Sequence, residues 1–124
     1  MINILAVFTG GGIGAVMRYM ITLTASKLLG TQYVYAGTFC ANIIGCFIIG
    51  YIFGMTMNKA VVLSPELKLF LTVGFLGGLT TFSTFSCESF CFLKDGRILQ
   101  AITYMSASLI LGLTATYCGY ALAK

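Results

Sequence analysis

The stretch Gly74-Phe75-Leu76-Gly77-Gly78-Leu79-Thr80-Thr81-Phe82-Ser83-Thr84-Phe85-Ser86 lies inside a long apolar run, yet it carries three glycines and five hydroxyl residues. Glycine weakens the i to i−4 backbone ladder through its conformational entropy, and clustered Ser and Thr offer the backbone competing hydrogen bonds. The reading is a helix broken partway along. In a bilayer, non-helical backbone is tolerated only where protein or a water-filled cavity covers it. Such a break therefore marks an interior, and it frees carbonyls such as those of Gly77 and Thr80 to coordinate a cation. A packing helix merely softened by glycine would have a similar composition.

Outside this stretch the chain reads as membrane throughout. Of its 124 residues, 59% are hydrophobic and 8% charged, with a mean hydropathy of +1.00, whereas an ordinary soluble domain carries about 25% charged residues. A hydrocarbon core about 30 Å thick needs roughly 20 apolar residues as helix. Four segments satisfy this, approximately 4–29, 33–57, 67–93 and 98–122. Between them lie Gly30-Thr31-Gln32, the stretch from Asn58 to Glu66 with the only proline at Pro65, and Lys94-Asp95-Gly96-Arg97. The expected fold is an all-α membrane protein: residues 1–124 form a single four-helix transmembrane domain, with the third helix broken at mid-membrane. The first apolar run is too long for a secretory signal, so the N-terminus is expected to be retained.

The residue inventory excludes several function classes. The net charge of +4 comes from scattered Lys and Arg without a cluster, which suits residues flanking spans and predicts no nucleic-acid partner. Cys40, Cys46, Cys87, Cys91 and Cys118 all sit in apolar runs, with no His and no C-x-x-C spacing, and read as reduced thiols rather than a metal or redox centre. No nucleophile–base pair is visible, so the chain is not expected to be an enzyme.

Small residues recur four apart in Gly10/Gly14, Gly37/Ala41, Ala41/Gly45, Cys46/Gly50 and Gly50/Gly54, a spacing that lets helix backbones approach closely in lipid. Four short spans enclose too little volume for a pore, so an oligomer is expected. With a cytoplasmic N-terminus, that side would carry Lys59, Lys68 and Lys124 while the other carries Lys27, Lys94 and Arg97, three against three. The Lys/Arg bias between loops sets orientation. A chain without bias is expected to insert both ways, and such a population can form an antiparallel dimer.

Few side chains inside the spans can carry chemistry. Phe82 and Phe85 are three apart and project from one helical face, and an aromatic ring has a positive edge that can line an anion path. Their ordinary reading is core or lipid contact. Thr81, Thr84 and Glu88 fall on a neighbouring stripe, and Tyr104 and Ser108 form a hydroxyl pair four apart on the fourth span. Asn42, the only amide in the middle of a span, offers two N–H donors without formal charge; a plain interhelical hydrogen bond is the alternative. Arg18 either snorkels to the interface or faces a vestibule where its charge gathers anions.

With four short spans, Gly11-Gly12-x-Gly14-Ala15-x-x-Arg18-Tyr19 in the first, Asn42 followed by Gly45 in the second and the long third-span string quoted above, the chain resembles the Fluc/CrcB fluoride channels over nearly its whole length. The resemblance implies a dual-topology, antiparallel homodimer in the cell (inner) membrane. It implies two pores, each lined by both subunits, that pass fluoride passively and lower cytoplasmic fluoride. It further implies a structural sodium ion at the dimer centre, held by the carbonyls of Gly77 and Thr80. Pore phenylalanines map onto Phe82 and Phe85, with the hydroxyls of Thr81, Ser83 and Thr84 beside them. The pore asparagine maps onto Asn42, the vestibule arginine onto Arg18, and a polar track onto Glu88, Tyr104 and Ser108. One departure is Gly112, one turn past Ser108, which has no hydroxyl to extend the track.

Two other readings compete. A small multidrug exporter is also a four-span, dual-topology dimer, but that family needs a glutamate in its first span and this first span has no acid. A non-transporting membrane assembly subunit would use the glycines and Asn42 for helix contacts alone.

Overall fold

A computed structural model describes all residues, Met1–Lys124. Every regular element is helical. Helix α1 spans Ile2–Leu29 and α2 spans Val34–Met57, joined through a 3₁₀ turn at Thr31–Tyr33. Next come α3 (Pro65–Leu69), a π-helical segment (Phe70–Leu76), α4 (Gly77–Leu79), α5 (Phe82–Lys94) and α6 (Ile98–Leu122). Four stretches are long and apolar enough to cross a membrane: Ile2–Leu29, Thr31–Met57, Pro65–Lys94 and Ile98–Leu122. At 1.5 Å per residue, the 28 residues of α1 reach about 42 Å, more than a hydrocarbon core requires.

Local sequence sets the boundaries. The chain leaves α1 at Gly30, whose φ of 104° lies where side chains are disfavoured, and the Gly30 N–H closes the helix on Ser26 O at 3.0 Å. The third stretch starts at Pro65, two residues ahead of its apolar run. Ser64 caps it by accepting the Leu67 N–H at 3.2 Å, and proline suits the first helical position. Gly96, with φ 76°, makes the turn into α6.

Only 18 of 124 residues are buried, while Phe8, Phe82, Leu109 and Tyr117 are among many large apolar side chains left exposed. In lipid that surface needs no cover, and the driving force between helices is close packing of backbones instead. The glycines supply it. On α2, Gly50 lies against the backbone of Thr116 and Gly54 against Tyr120, a constant offset of 66 that fixes α2 and α6 side by side and parallel. On α1, Gly10 and Gly14 rest on the carbonyls of Phe70 and Phe75, and Gly78 answers from the other side against Gly11 O. A Cβ at Gly10, Gly14, Gly50 or Gly78 would collide with main chain, which cannot swing aside. The π winding of Phe70–Leu76 falls where it meets this glycine stripe; π turns are rare and concentrate at functional sites.

Candidate functional site

Helix α4 ends at Leu79, and the next two residues are extended: Thr80 at φ −90°, ψ 154° and Thr81 at φ −149°, ψ 121°. Helix α5 then starts with Thr81 as its cap, the Thr81 hydroxyl accepting the Thr84 N–H at 3.2 Å and donating to Thr84 Oγ1 at 3.1 Å. The Ser83 hydroxyl lies 3.3 Å from Thr81 Oγ1. The three hydroxyls thus engage one another around the start of α5, and Thr81 stands outside the helical stripe that its spacing suggested.

The main-chain groups freed here are divided among specific partners. Asn42, from the middle of α2, holds Thr81 on both sides: its Oδ1 accepts the Thr81 N–H at 2.8 Å and its Nδ2 donates to Thr81 O at 3.2 Å. In an unbroken helix that Thr81 N–H would bond Gly77 O. Both the N–H and the hydroxyl of Thr80 turn back to Leu76 O, at 3.0 and 2.8 Å. Arg18 Nε donates to Gly78 O at 3.0 Å. Leu76 O and Gly78 O are therefore satisfied, whereas Gly77 O has lost its Thr81 partner and Thr80 O accepts no hydrogen bond from this chain. Chain carbonyls are hard oxygen ligands suited to an alkali cation. No cluster of three or more His, Cys, Asp or Glu that could hold a metal exists.

Asn42, Gly77, Thr80, Thr81, Phe82, Phe85 and Ser108 line one open cavity of about 540 Å³, together with Gly45, Cys46 and Met105. The rings of Phe82 and Phe85 stand 6.0 Å apart, and Phe85 continues to Tyr104 at 5.2 Å. Phe82, on the cavity lining, is 78% exposed. The oxygen of Ser108 is buried without any hydrogen-bond partner.

Glu88 and Tyr104 lie outside the cavity, behind Phe85. Each carboxylate oxygen of Glu88 accepts one hydroxyl, Tyr104 OH on Oε1 at 3.1 Å and Thr38 Oγ1 on Oε2 at 3.2 Å. Thr38 was not among the residues singled out from the sequence; its signal is its place four residues before Asn42, on the same face of α2. Arg18 also lies away from the cavity, reaching α4 from the side of α1. The candidates therefore form three groups: the cavity, the Thr38–Glu88–Tyr104 network joined to it through Phe85, and Arg18 bracing α4.

Comparison with known proteins places this arrangement. The profile of the family described as CrcB-like protein, Camphor Resistance (CrcB), matches residues 5–120. The chain belongs to the CrcB-like family. Similar proteins named fluoride-specific ion channel FluC include one from Flavobacterium psychrophilum, 48% identical over 115 residues, 93% of this chain and 91% of the relative. Another, from Chloroflexus aurantiacus, is 44% identical over 122 residues, covering 98% and 95%. A third, from Phocaeicola vulgatus, is 39% identical over 117 residues, covering 94% of each. CrcB-like membership and the four apolar helices together make the chain a multi-pass membrane protein, and its named relatives are channels rather than enzymes.

Proposed function

We propose that this protein is a fluoride-selective channel that lets fluoride run passively down its gradient and so lowers cytoplasmic fluoride. The observation that carries the reading is the cavity that brings the uncharged polar residues Asn42, Thr81 and Ser108 together with the rings of Phe82 and Phe85. Fluoride holds its water tightly, so a path must replace that water with donors yet bind weakly enough to let the ion leave. Asn42 keeps one N–H after donating to Thr81 O. The phenyl edges add a weak positive lining without a full charge. No Lys or Arg lines the cavity, so nothing there would trap the anion. Glu88, with both oxygens occupied by Thr38 and Tyr104 hydroxyls, serves as the fixed acceptor that orients the polar track.

The working unit in this reading is an antiparallel, dual-topology homodimer in the cell's inner membrane, with two pores. Two features support it. The cavity is not enclosed by this chain, and Phe82 on its lining is exposed, which leaves a wall that a second chain can complete. The flanking charges balance at three against three. Sodium at the dimer centre fits the residues present, because Gly77 O and Thr80 O lack partners within the chain; they would hold it, and its charge would secure the break. Fluoride release from liposomes carrying the pure protein tests the reading. A non-transporting assembly subunit would release none, and a proton-coupled exporter would need an acid that α1 lacks.

A further inference from the structure

The offset of 66 between α2 and α6 pairs their polar residues as well as their glycines. Thr38, Asn42 and Cys46 follow one another four apart on α2; Tyr104, Ser108 and Gly112 do the same on α6. On the first rung, Thr38 and Tyr104 share Glu88. On the second, Asn42 and Ser108 face one cavity. On the third, a Cβ built at Gly112 would lie 3.5 Å from Cys46 Sγ, so the thiol stands beside the place where α6 has no side chain. Cys46 is half-buried and lines the same cavity as Ser108. The Ser108 oxygen on the neighbouring rung is buried without a partner, so this wall holds hydrogen-bonding capacity that nothing in the chain uses.

We propose that Cys46 is a pore-lining donor of this chain, its S–H extending the polar track past Ser108 where Gly112 carries no hydroxyl. The proposal rests on the fluoride-channel reading. A thiol is a weaker donor than a hydroxyl, which suits one end of a path from which the ion must escape. It also leaves a reactive group on the wall of the pore.

The test uses full-length protein with Cys40, Cys87, Cys91 and Cys118 changed to alanine, reconstituted in liposomes, with and without Cys46→Ser. A neutral methanethiosulfonate reagent is added: the Cys46 thiolate attacks the reagent's sulfenyl sulfur, methanesulfinate leaves, and a mixed disulfide forms. Mass spectrometry counts adducts and a fluoride electrode reads flux. The expected result is one adduct, loss of flux by at least about tenfold as the pore is plugged, recovery with dithiothreitol, and slower labelling in millimolar fluoride. The Cys46→Ser protein is expected to conduct and ignore the reagent, and Cys46→Ala to lose flux roughly threefold as one weak donor disappears. An adduct that leaves flux unchanged, or no adduct at all, would overturn the assignment of Cys46 while leaving the channel reading standing. Absence of fluoride flux before any reagent is added would overturn that reading and this one with it.

Discussion

Asn42 and Thr81 grip each other through two hydrogen bonds, 2.8 Å from the Thr81 N–H to Asn42 Oδ1 and 3.2 Å from Asn42 Nδ2 to Thr81 O. A side-chain amide thus takes the place of the helix ladder at the point where α4 and α5 separate. The same amide keeps one N–H free beside the cavity, so a single residue both holds the break and lines the path.

Replacing Asn42 therefore has two separable consequences. Asn42→Ala strips partners from one half-buried N–H and one half-buried C=O, at a cost of about 1 kcal/mol each. Asn42→Asp keeps the acceptor for the Thr81 N–H but loses the donor and adds a negative charge against the anion. Thermal unfolding in detergent is expected to fall sharply for alanine and less for aspartate, with flux lost in both. Equal, near-wild-type stability in the two would contradict the grip.

Gly14 and Gly12 make a matched pair on α1. A Cβ at Gly14 would strike Phe75 O, whereas nothing lies within 4 Å of one at Gly12. Gly14→Ala is expected to destabilise by about 1–3 kcal/mol as overpacked backbone shifts, and Gly12→Ala is expected to be silent. Melting curves of the two purified variants decide it, and indistinguishable curves would mean that α1 does not brace the π segment.

What could be read from sequence, and what could not, follows from range. Hydropathy and local punctuation at Gly30, Pro65 and Lys94-Asp95-Gly96-Arg97 locate the four helical stretches, because span length and turn chemistry are decided within a few residues. The clustering of glycine and hydroxyls around Thr80 is equally local. The partners are not: Asn42 finds Thr81 across 39 residues and Thr38 finds Glu88 across 50. The π winding lies against the distant glycines of α1, and Arg18 braces Gly78 O, contacts that composition and charge alone do not reveal. Thr38 escaped notice because threonine is unremarkable in an apolar helix until its acceptor is known.

The rings of Phe82 and Phe85, 6.0 Å apart, are expected to be replaceable only at the expense of flux. The Phe82→Ile, Phe85→Ile double variant keeps apolar bulk but removes the positive ring edges, so fluoride flux should collapse while the dimer elutes unchanged from a sizing column in detergent. Methionine, flexible and polarizable, should be milder. Wild-type flux in a correctly assembled isoleucine double variant would reduce the rings to packing.

Sodium is expected to act as a structural ion at Gly77 O and Thr80 O. Replacing it on both sides by a large organic cation should lower flux, while a sodium gradient should not drive fluoride uphill. Uphill movement would make the protein a coupled transporter.

The most direct measurement is efflux from liposomes loaded with equal fluoride and chloride, each read by its own electrode after valinomycin collapses the potassium potential. The purified wild-type protein is expected to release fluoride rapidly and completely from every liposome that holds it in working form while chloride stays inside. Retention of both ions, or parallel release of both, would contradict a fluoride-selective pore.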